Sequence, residues 1–207
     1  MGIFVVNIEI MNCTFPNQGA FSEQWTSGID QFTVKLLQLF FYSKFFPIFS
    51  FLFGLGISMQ AIKLFEQHKL SGTFFARRMF LLFIIGALHI LLLWSGDVVH
   101  LYALLGLLTT LLIKRSNTLI LILSIVFLFF PFYDQLAGWF FEMIQFKPES
   151  FLENYPSEKI IHTIREGSYF DGTKLRVSEY MANIPVLFVY LAPVALSMFL
   201  LGLYFGK

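Results

Sequence analysis

The sequence predicts an all-α membrane protein, a polytopic helical bundle with about five transmembrane helices and a partial one before them. Of its 207 residues, 57% are hydrophobic and only 13% are charged, whereas about a quarter of the residues of an ordinary soluble domain are charged. The apolar residues also occur in blocks long enough to cross a hydrocarbon core of about 30 Å. We therefore expect one membrane domain that covers residues 1–207.

Five apolar blocks are candidate transmembrane helices, at residues 45–62, 79–95, 98–113, 118–136 and 184–204. Only two residues separate the second block from the third, which predicts a tight antiparallel hairpin. In the first block Ser50, Gly54 and Ser58 recur every four residues, a spacing typical of closely packed membrane helices. Pro193 predicts a kink in the last block. Residues 2–12 are apolar but too short to span, so we expect a partial helix there.

The distribution of cationic residues predicts the orientation in the membrane, because cytoplasmic loops carry an excess of lysine and arginine. Basic residues dominate two short connections, which hold Lys63, Lys69, Arg77 and Arg78 in one case and Lys114 and Arg115 in the other. The polar segment 140–180, with a short amphipathic helix expected at 157–166, belongs outside. We expect an inner-type membrane protein whose partial helix emerges outward and whose carboxyl terminus is cytoplasmic.

Composition also limits the partners. A formal net charge of +1 provides no overall field that would attract nucleic acid. The single cysteine, Cys13, excludes an internal disulfide framework. We expect the lipid bilayer as the partner and leave a homo-oligomer open.

His89 is the deepest titratable side chain in the predicted bundle. It lies ten residues past Met79, about 15 Å into a helix that crosses about 30 Å. An ionisable group at this depth costs a few kcal/mol and so needs a partner, a cavity or a function. Three roles stay open for His89: a hydrogen bond between helices, acid or base chemistry, and metal binding.

Asp97 lies eight residues beyond His89, about 12 Å farther along a helix axis, so we expect no direct contact between them. Asp97 either caps the helix that begins at Val98 or forms a charge-assisted hydrogen bond with His100. Because His89 lies so deep, we expect no metal site built from His89, Asp97 and His100.

Other polar residues carry weaker predictions. Arg77 and Arg78 lie where a helix enters the membrane from the cytoplasm, either as an anchor or as a site for an anionic group, such as a lipid headgroup or the phosphates of a soluble donor. Asn7 in the partial helix suggests a polar interior.

Several stretches together resemble the YeiB-like family of bacterial membrane proteins, a family named for a domain of unknown function. The matching stretches are residues 2–7, residues 45–56, the pair Arg77 and Arg78, residues 86–89, residues 94–97, and Tyr102 with Ala103. Weaker likeness continues at residues 167–169 and Arg176. The resemblance implies a helical membrane bundle and covers the whole chain.

The same resemblance covers only the first half of a typical YeiB-like protein. Members normally carry a charged stretch with an Arg-Gly pair just before the segment that starts here at Gly2. They also continue through several membrane helices after the position of Lys207. We therefore expect a fragment or a truncated product that lacks the C-terminal helices.

YeiB-like proteins look distantly similar to membrane acyltransferases such as heparan-glucosaminide acetyltransferase. That likeness implies that His89 accepts a proton or relays the acyl group, that Arg77 or Arg78 holds donor phosphates, and that Asp97 lies toward an external acceptor. Acyl-coenzyme A would be the donor. The sequence itself contains no cofactor fingerprint and no metal-ligand spacing, so a transporter for a small solute and a non-catalytic scaffold stay open as alternatives.

Overall fold

The computed structural model describes residues 4–8, 23–41, 44–68, 71–129 and 134–207. No β-strand occurs in these ranges, which confirms the all-α fold class. Residues 4–8, inside the expected partial helix 2–12, are helical, and the rest of that segment lies outside the described residues. The helices are α1 (Gly28–Phe40), α2 (Phe45–Glu66), α3 (Gly72–Leu92), α4 (Val99–Leu111), α5 (Asn117–Phe129), α6 (Asp134–Met143), α7 (Ser157–Glu166), α8 (Tyr169–Ala182) and α9 (Ala192–Gly206), with a 3-10 turn at Pro148–Phe151 and a π-helical turn at Val186–Leu191.

Three stretches, Gly28–Glu66, Gly72–Leu92 and Val186–Gly206, are long and apolar enough to cross a membrane. Residues 42 and 43 within the first of them lie outside the described residues. The bent pair α5 and α6 is a fourth if it is counted as one crossing. Helix α4 has 13 residues and is therefore about 20 Å long, shorter than a hydrocarbon core of about 30 Å. The protein is a helical membrane protein, while the five crossings and the single domain over 1–207 stay predictions.

Helix α9 packs along α2 at unusually close range. A side chain on Gly54 of α2 would overlap the backbone of Phe199 in α9, and one on Gly202 of α9 would overlap the backbone of Phe51 in α2. Ser50 and Ser58 are fully buried on the same stretch of α2. The predicted small-residue stripe is confirmed as a packing face, which matters in lipid because close van der Waals contact, rather than exclusion of water, drives helix association there.

The expected span 118–136 is wrong as one continuous helix. Helix α5 ends at Phe129 and α6 begins at Asp134, and the two differ in direction by 78°. The sequence between them contains Pro131, and proline both removes an amide donor and disfavours helical backbone at the preceding residue.

The last span begins as a π-helical turn rather than as a kinked α-helix. The six residues Val186–Leu191 form this turn, and Pro193 then lies in the first turn of α9. Proline is tolerated in a first turn, where its missing amide would have no helical partner. The irregularity expected at Pro193 therefore lies just before it.

Residues 140–180 contain more structure than a polar loop. The expected amphipathic helix is confirmed as α7, and α8 follows directly and packs against α3. Helix α1, by contrast, was not predicted, because residues 28–40 mix polar and apolar side chains. Its signal was a capping box, in which Ser27 and Asp30 bond each other's backbone amides.

Large apolar side chains cover the outside of the described bundle. Examples with more than half of their surface exposed are Leu52, Phe80, Ile85, Leu111, Ile122 and Val126. An apolar surface of this extent would promote aggregation in water, whereas lipid chains cover it without cost.

Candidate functional site

The residues of the candidate site meet where α3 turns into α4. Helix α3 ends at Leu92, and the backbone amides of Leu93 and Trp94 both donate to the carbonyl of His89, at 2.8 and 2.9 Å. The chain then reverses within residues 93–98, so His89 in the last turn of α3 lies beside the start of α4.

Asp97 connects the two helices through its two carboxylate oxygens. Oδ1 accepts from the backbone amide of Val99 at 2.7 Å and more weakly from that of His100 at 3.4 Å. Oδ2 lies 3.0 Å from Nδ1 of His89. Val98 is the N-cap residue of α4, and the Asp97 carboxylate, one residue earlier, accepts from the first two amides of the helix, which is close to the capping role that one of the two sequence hypotheses gave it. The same carboxylate also contacts His89.

The expectation that His89 and Asp97 do not touch is wrong. Eight residues of continuous helix would have separated them by about 12 Å, but α3 ends three residues after His89 and the chain doubles back. The approach is a close polar contact that does not meet the geometry of a hydrogen bond.

Gly86 allows α3 and α4 to approach closely enough for this contact. A side chain at Gly86 would overlap the backbone nitrogen and the Cα and Cβ of His100. His100 is consequently buried, with 3% of its surface exposed. Its Nδ1 lies 3.7 Å from Oδ1 of Asp97, so two imidazoles face the two oxygens of one carboxylate.

Helix α8 closes the site from the side. The hydroxyl of Tyr180 lies 2.9 Å from Nε2 of His100, and Ser95 in the α3–α4 turn donates to Oε2 of Glu179 at 2.7 Å. Burial raises the pKa of Glu179 above its usual 4.5, although the Ser95 hydrogen bond and the charge of Arg176 oppose the rise. Burial also raises the pKa of Tyr180, and the negative charge of Asp97 adds to this effect.

Sequence reasoning missed Ser95, Glu179 and Tyr180. Glu179 and Tyr180 were grouped with an external polar segment, and their spacing along the chain gives no sign of contact with residues about 80 positions earlier. Arg176, included only through the family resemblance, donates from Nε to the carbonyl of Leu91 at 3.1 Å.

Three of the predicted site residues, Arg77, Arg78 and Tyr102, lie away from this site. Arg77 and Arg78 are exposed near the start of α3, and Arg78 donates to the side-chain oxygen of Gln60. Eleven residues of helix separate Arg78 from His89, which is about 16 Å.

Tyr102 is buried in the core and shares a hydrogen bond of 2.6 Å with Ser50. Asn7 is half-buried within the helical residues 4–8.

The sequence argument against a metal site used a wrong premise, because His89, Asp97 and His100 do converge. Each imidazole nevertheless directs Nδ1 at the carboxylate rather than at a shared point. Across the part of the chain that the structure describes, no group of three or more His, Cys, Asp or Glu residues is arranged to hold a metal ion.

Three proteins to which the chain is similar are themselves named as uncharacterized proteins. The chain is 28% identical over 198 residues to the uncharacterized protein YxaH of Bacillus subtilis, which covers 88% of this chain and 47% of YxaH. It is 29% identical over 119 residues to the uncharacterized protein YeiB of Escherichia coli, covering 56% of this chain and 29% of YeiB. It is also 35% identical over 81 residues to an uncharacterized 39.9 kDa protein in the amylase 3′ region of Bacillus acidopullulyticus, covering 39% of this chain and 23% of that protein.

These similarities and the apolar helices fit a helical membrane protein and are consistent with a YeiB-like family. The chain spans about half the length of YxaH and less of the other two relatives. No family model matches the chain. No solved structure matches it.

Proposed function

We propose that the protein is a membrane group-transfer enzyme in which His89 is the general base and Asp97 is the carboxylate that orients it. The observation that carries the proposal is the unequal exposure of the pair. His89 has 36% of its side chain exposed, whereas Asp97, 3.0 Å away, has 7%. A base must reach its substrate, while the carboxylate that fixes its tautomer works best when shielded from water.

The proposed chemistry follows from this arrangement. Because Nδ1 of His89 faces Asp97, Nε2 is the basic nitrogen that would take a proton from an acceptor hydroxyl. The resulting alkoxide would attack the carbonyl of an acyl thioester, and the departing thiolate would take the proton back from the imidazolium. Hydroxyl proton, acyl group and thiol are all accounted for, and no further reagent is needed.

The acyl group and its donor are proposed from the resemblance to membrane acyltransferases. Arg77 and Arg78, at the opposite end of α3, would bind the phosphates of acyl-coenzyme A, whose long flexible arm would extend toward His89. Under the positive-inside rule these arginines face the cytoplasm and Asp97 faces outward. The acceptor would then be an external hydroxyl compound, in a bacterial inner membrane.

Labelled acetyl-coenzyme A tests the proposal in membranes from cells that express the protein. We expect His89→Ala to reduce transfer of the label to lipid or saccharide by about 10²–10⁴-fold, the usual contribution of a general base. The matched control is His162→Gln, because His162 lies on α7 with 70% of its side chain exposed.

Undiminished transfer by His89→Ala would refute the assignment of the base. Label that instead accumulates inside sealed vesicles as unchanged acetyl-coenzyme A would favour the transporter alternative.

A further inference from the structure

Tyr180 forms a polar contact with the His100 side chain from a distant part of the chain. Its hydroxyl oxygen is 2.9 Å from Nε2 of His100. The two rings meet edge to face, with centroids 5.3 Å apart and planes at 72°. Both the hydrogen bond and the ring packing therefore hold the imidazole in one orientation.

The surroundings of His100 decide which of its ring nitrogens carries the proton. Nδ1 has no hydrogen-bond partner among the described residues, and the nearest acceptor is Oδ1 of Asp97 at 3.7 Å, too far for a hydrogen bond but close enough for its charge to act on the ring. An ionised carboxylate only accepts hydrogen bonds. A lone pair directed at that oxygen would be repelled, so the neutral ring places its proton on Nδ1. Nε2 then has a free lone pair, and the Tyr180 hydroxyl is the donor.

Tyr180 is well placed to donate throughout the ordinary pH range. Burial and the nearby charge of Asp97 both raise the pKa of its hydroxyl, so the group stays protonated. Among the described residues the contact thus joins four side chains in a row: Tyr180, His100, Asp97 and His89.

Three further contacts hold α8 in position against the α3–α4 turn. Arg176 donates to the carbonyl of Leu91 at 3.1 Å, Tyr169 donates to that of Leu92 at 2.5 Å, and Glu179 accepts from Ser95 at 2.7 Å. The first two satisfy carbonyls at the end of α3, which have no partner within their own helix. Tyr180 is therefore carried by a helix that three residues before it in the sequence hold against the α3–α4 turn.

We propose that Tyr180 is a positioning residue that keeps His100 in its Nδ1-protonated form and thereby holds Asp97 against His89. The importance of this for catalysis depends on the proposed function, whereas the state of the His100 ring does not. Without the Tyr180 hydroxyl, Nε2 loses its donor, and the ring is free to move its proton to Nε2 or to rotate. A proton moved to Nε2 leaves a lone pair on Nδ1 facing Oδ1 of Asp97. A rotated ring leaves no ring nitrogen facing that oxygen.

Nitrogen NMR of protein labelled with ¹⁵N-histidine tests the proposal directly, because protonated and unprotonated ring nitrogens resonate far apart. In detergent micelles we expect wild-type His100 to show protonated Nδ1 and unprotonated Nε2. The signals are assigned by their loss in His100→Gln. Observation of a protonated Nε2 in the neutral wild-type ring would overturn the proposal without any variant of Tyr180.

The variant Tyr180→Phe keeps the aromatic ring and removes only the donor. We expect the His100 signals to shift toward the Nε2-protonated form or to an average of the two forms. The control is Tyr155→Phe, because Tyr155 lies outside the site and its ring contact with Lys159 survives the change. Thermal unfolding verifies that both variants fold. A His100 spectrum unchanged in a folded Tyr180→Phe variant would also overturn the proposal.

Activity separates this proposal from the one it rests on. If acetyl transfer is detected, Tyr180→Phe should reduce it by about 10–100-fold, as is usual when an outer partner of a functional histidine is lost at metal sites. Absence of transfer by the wild type would count against the proposed function and leave the NMR result intact. Normal transfer by Tyr180→Phe would show that Tyr180 does not position the base.

Discussion

Asp97 performs two tasks with one side chain. One oxygen caps α4 through the Val99 amide, and the other faces His89. A cap needs an oxygen acceptor but not a charge, whereas orienting an imidazole that gains a proton benefits from a full negative charge. The two tasks can therefore be separated by substitution.

Asp97→Asn should leave the free energy of unfolding unchanged, because asparagine caps a helix about as well as aspartate. The same variant should lose acetyl transfer, because the amide carries no negative charge to orient His89. Asp97→Ala should also lose acetyl transfer and should lower the free energy of unfolding by about 1 kcal/mol, the usual contribution of a cap. Thermal unfolding in detergent measures the change in stability, and transfer of labelled acetyl groups measures the change in activity. Equal destabilisation by the two variants would show that charge, not capping, stabilises this turn.

Gly86 determines the distance between α3 and α4 next to His100. Gly86→Ala should separate the helices and destabilise the protein by about 1–3 kcal/mol, the usual cost of overpacking. Gly56→Ala is the matched control, because a side chain at Gly56 would meet no atom within 4 Å. In a helix that change should be neutral or stabilise by about 0.5–1 kcal/mol. Equal melting temperatures for the two variants would contradict the close approach.

At the level of elements, α8 is the part of the site that does not belong to the α3–α4 hairpin. It brings a buried carboxyl group, Glu179, against Ser95. One carboxyl oxygen, Oε1, has no hydrogen-bond partner among the described residues. A negative charge there is poorly solvated, so the docked position of α8 favours the protonated acid.

The raised pKa of Glu179 predicts how stability depends on pH. Its contribution is fully present below the usual carboxyl value of 4.5. As the pH rises through the higher pKa of the folded state, the unfolded chain releases a proton more readily and the contribution is lost. Stability should therefore fall as the pH rises above 4.5, and Glu179→Gln should weaken this dependence. Thermal unfolding measured across that interval provides the check.

Glu158→Gln is the control for this measurement, since Glu158 is exposed in the first turn of α7. An identical pH dependence in wild type and Glu179→Gln would mean that other groups determine it.

The sequence was sufficient to predict elements with long apolar runs, and insufficient for contacts that depend on where a helix stops. Helices α2 and α3 and the last span followed from length and hydropathy, because lipid-exposed backbone must satisfy its own hydrogen bonds. The contact between His89 and Asp97 followed from α3 ending at Leu92, which the apolar run through residue 95 concealed. Tyr180 was beyond prediction, because tertiary packing alone brings α8 to His100.

For the molecule as a whole, orientation in the membrane decides which compartment the site faces. Cysteine labelling tests the proposed arrangement after Cys13→Ser removes the only native thiol. An impermeant maleimide added outside intact spheroplasts should label Ser150→Cys and should label Ser116→Cys only after lysis. Both positions are exposed in the structure. The reverse pattern would place His89 and Asp97 at the cytoplasmic end and would exclude an external acceptor.

The separation of Tyr180 from His100 by 80 residues also has a consequence in time. A ribosome adds about 5–20 residues per second, so roughly 4–16 s pass between synthesis of the histidine and synthesis of the tyrosine. During that interval α3, its turn and α4 exist without α8. The site is thus completed late in translation, and a chain stalled in between would carry His89 and Asp97 with a His100 ring that nothing yet holds.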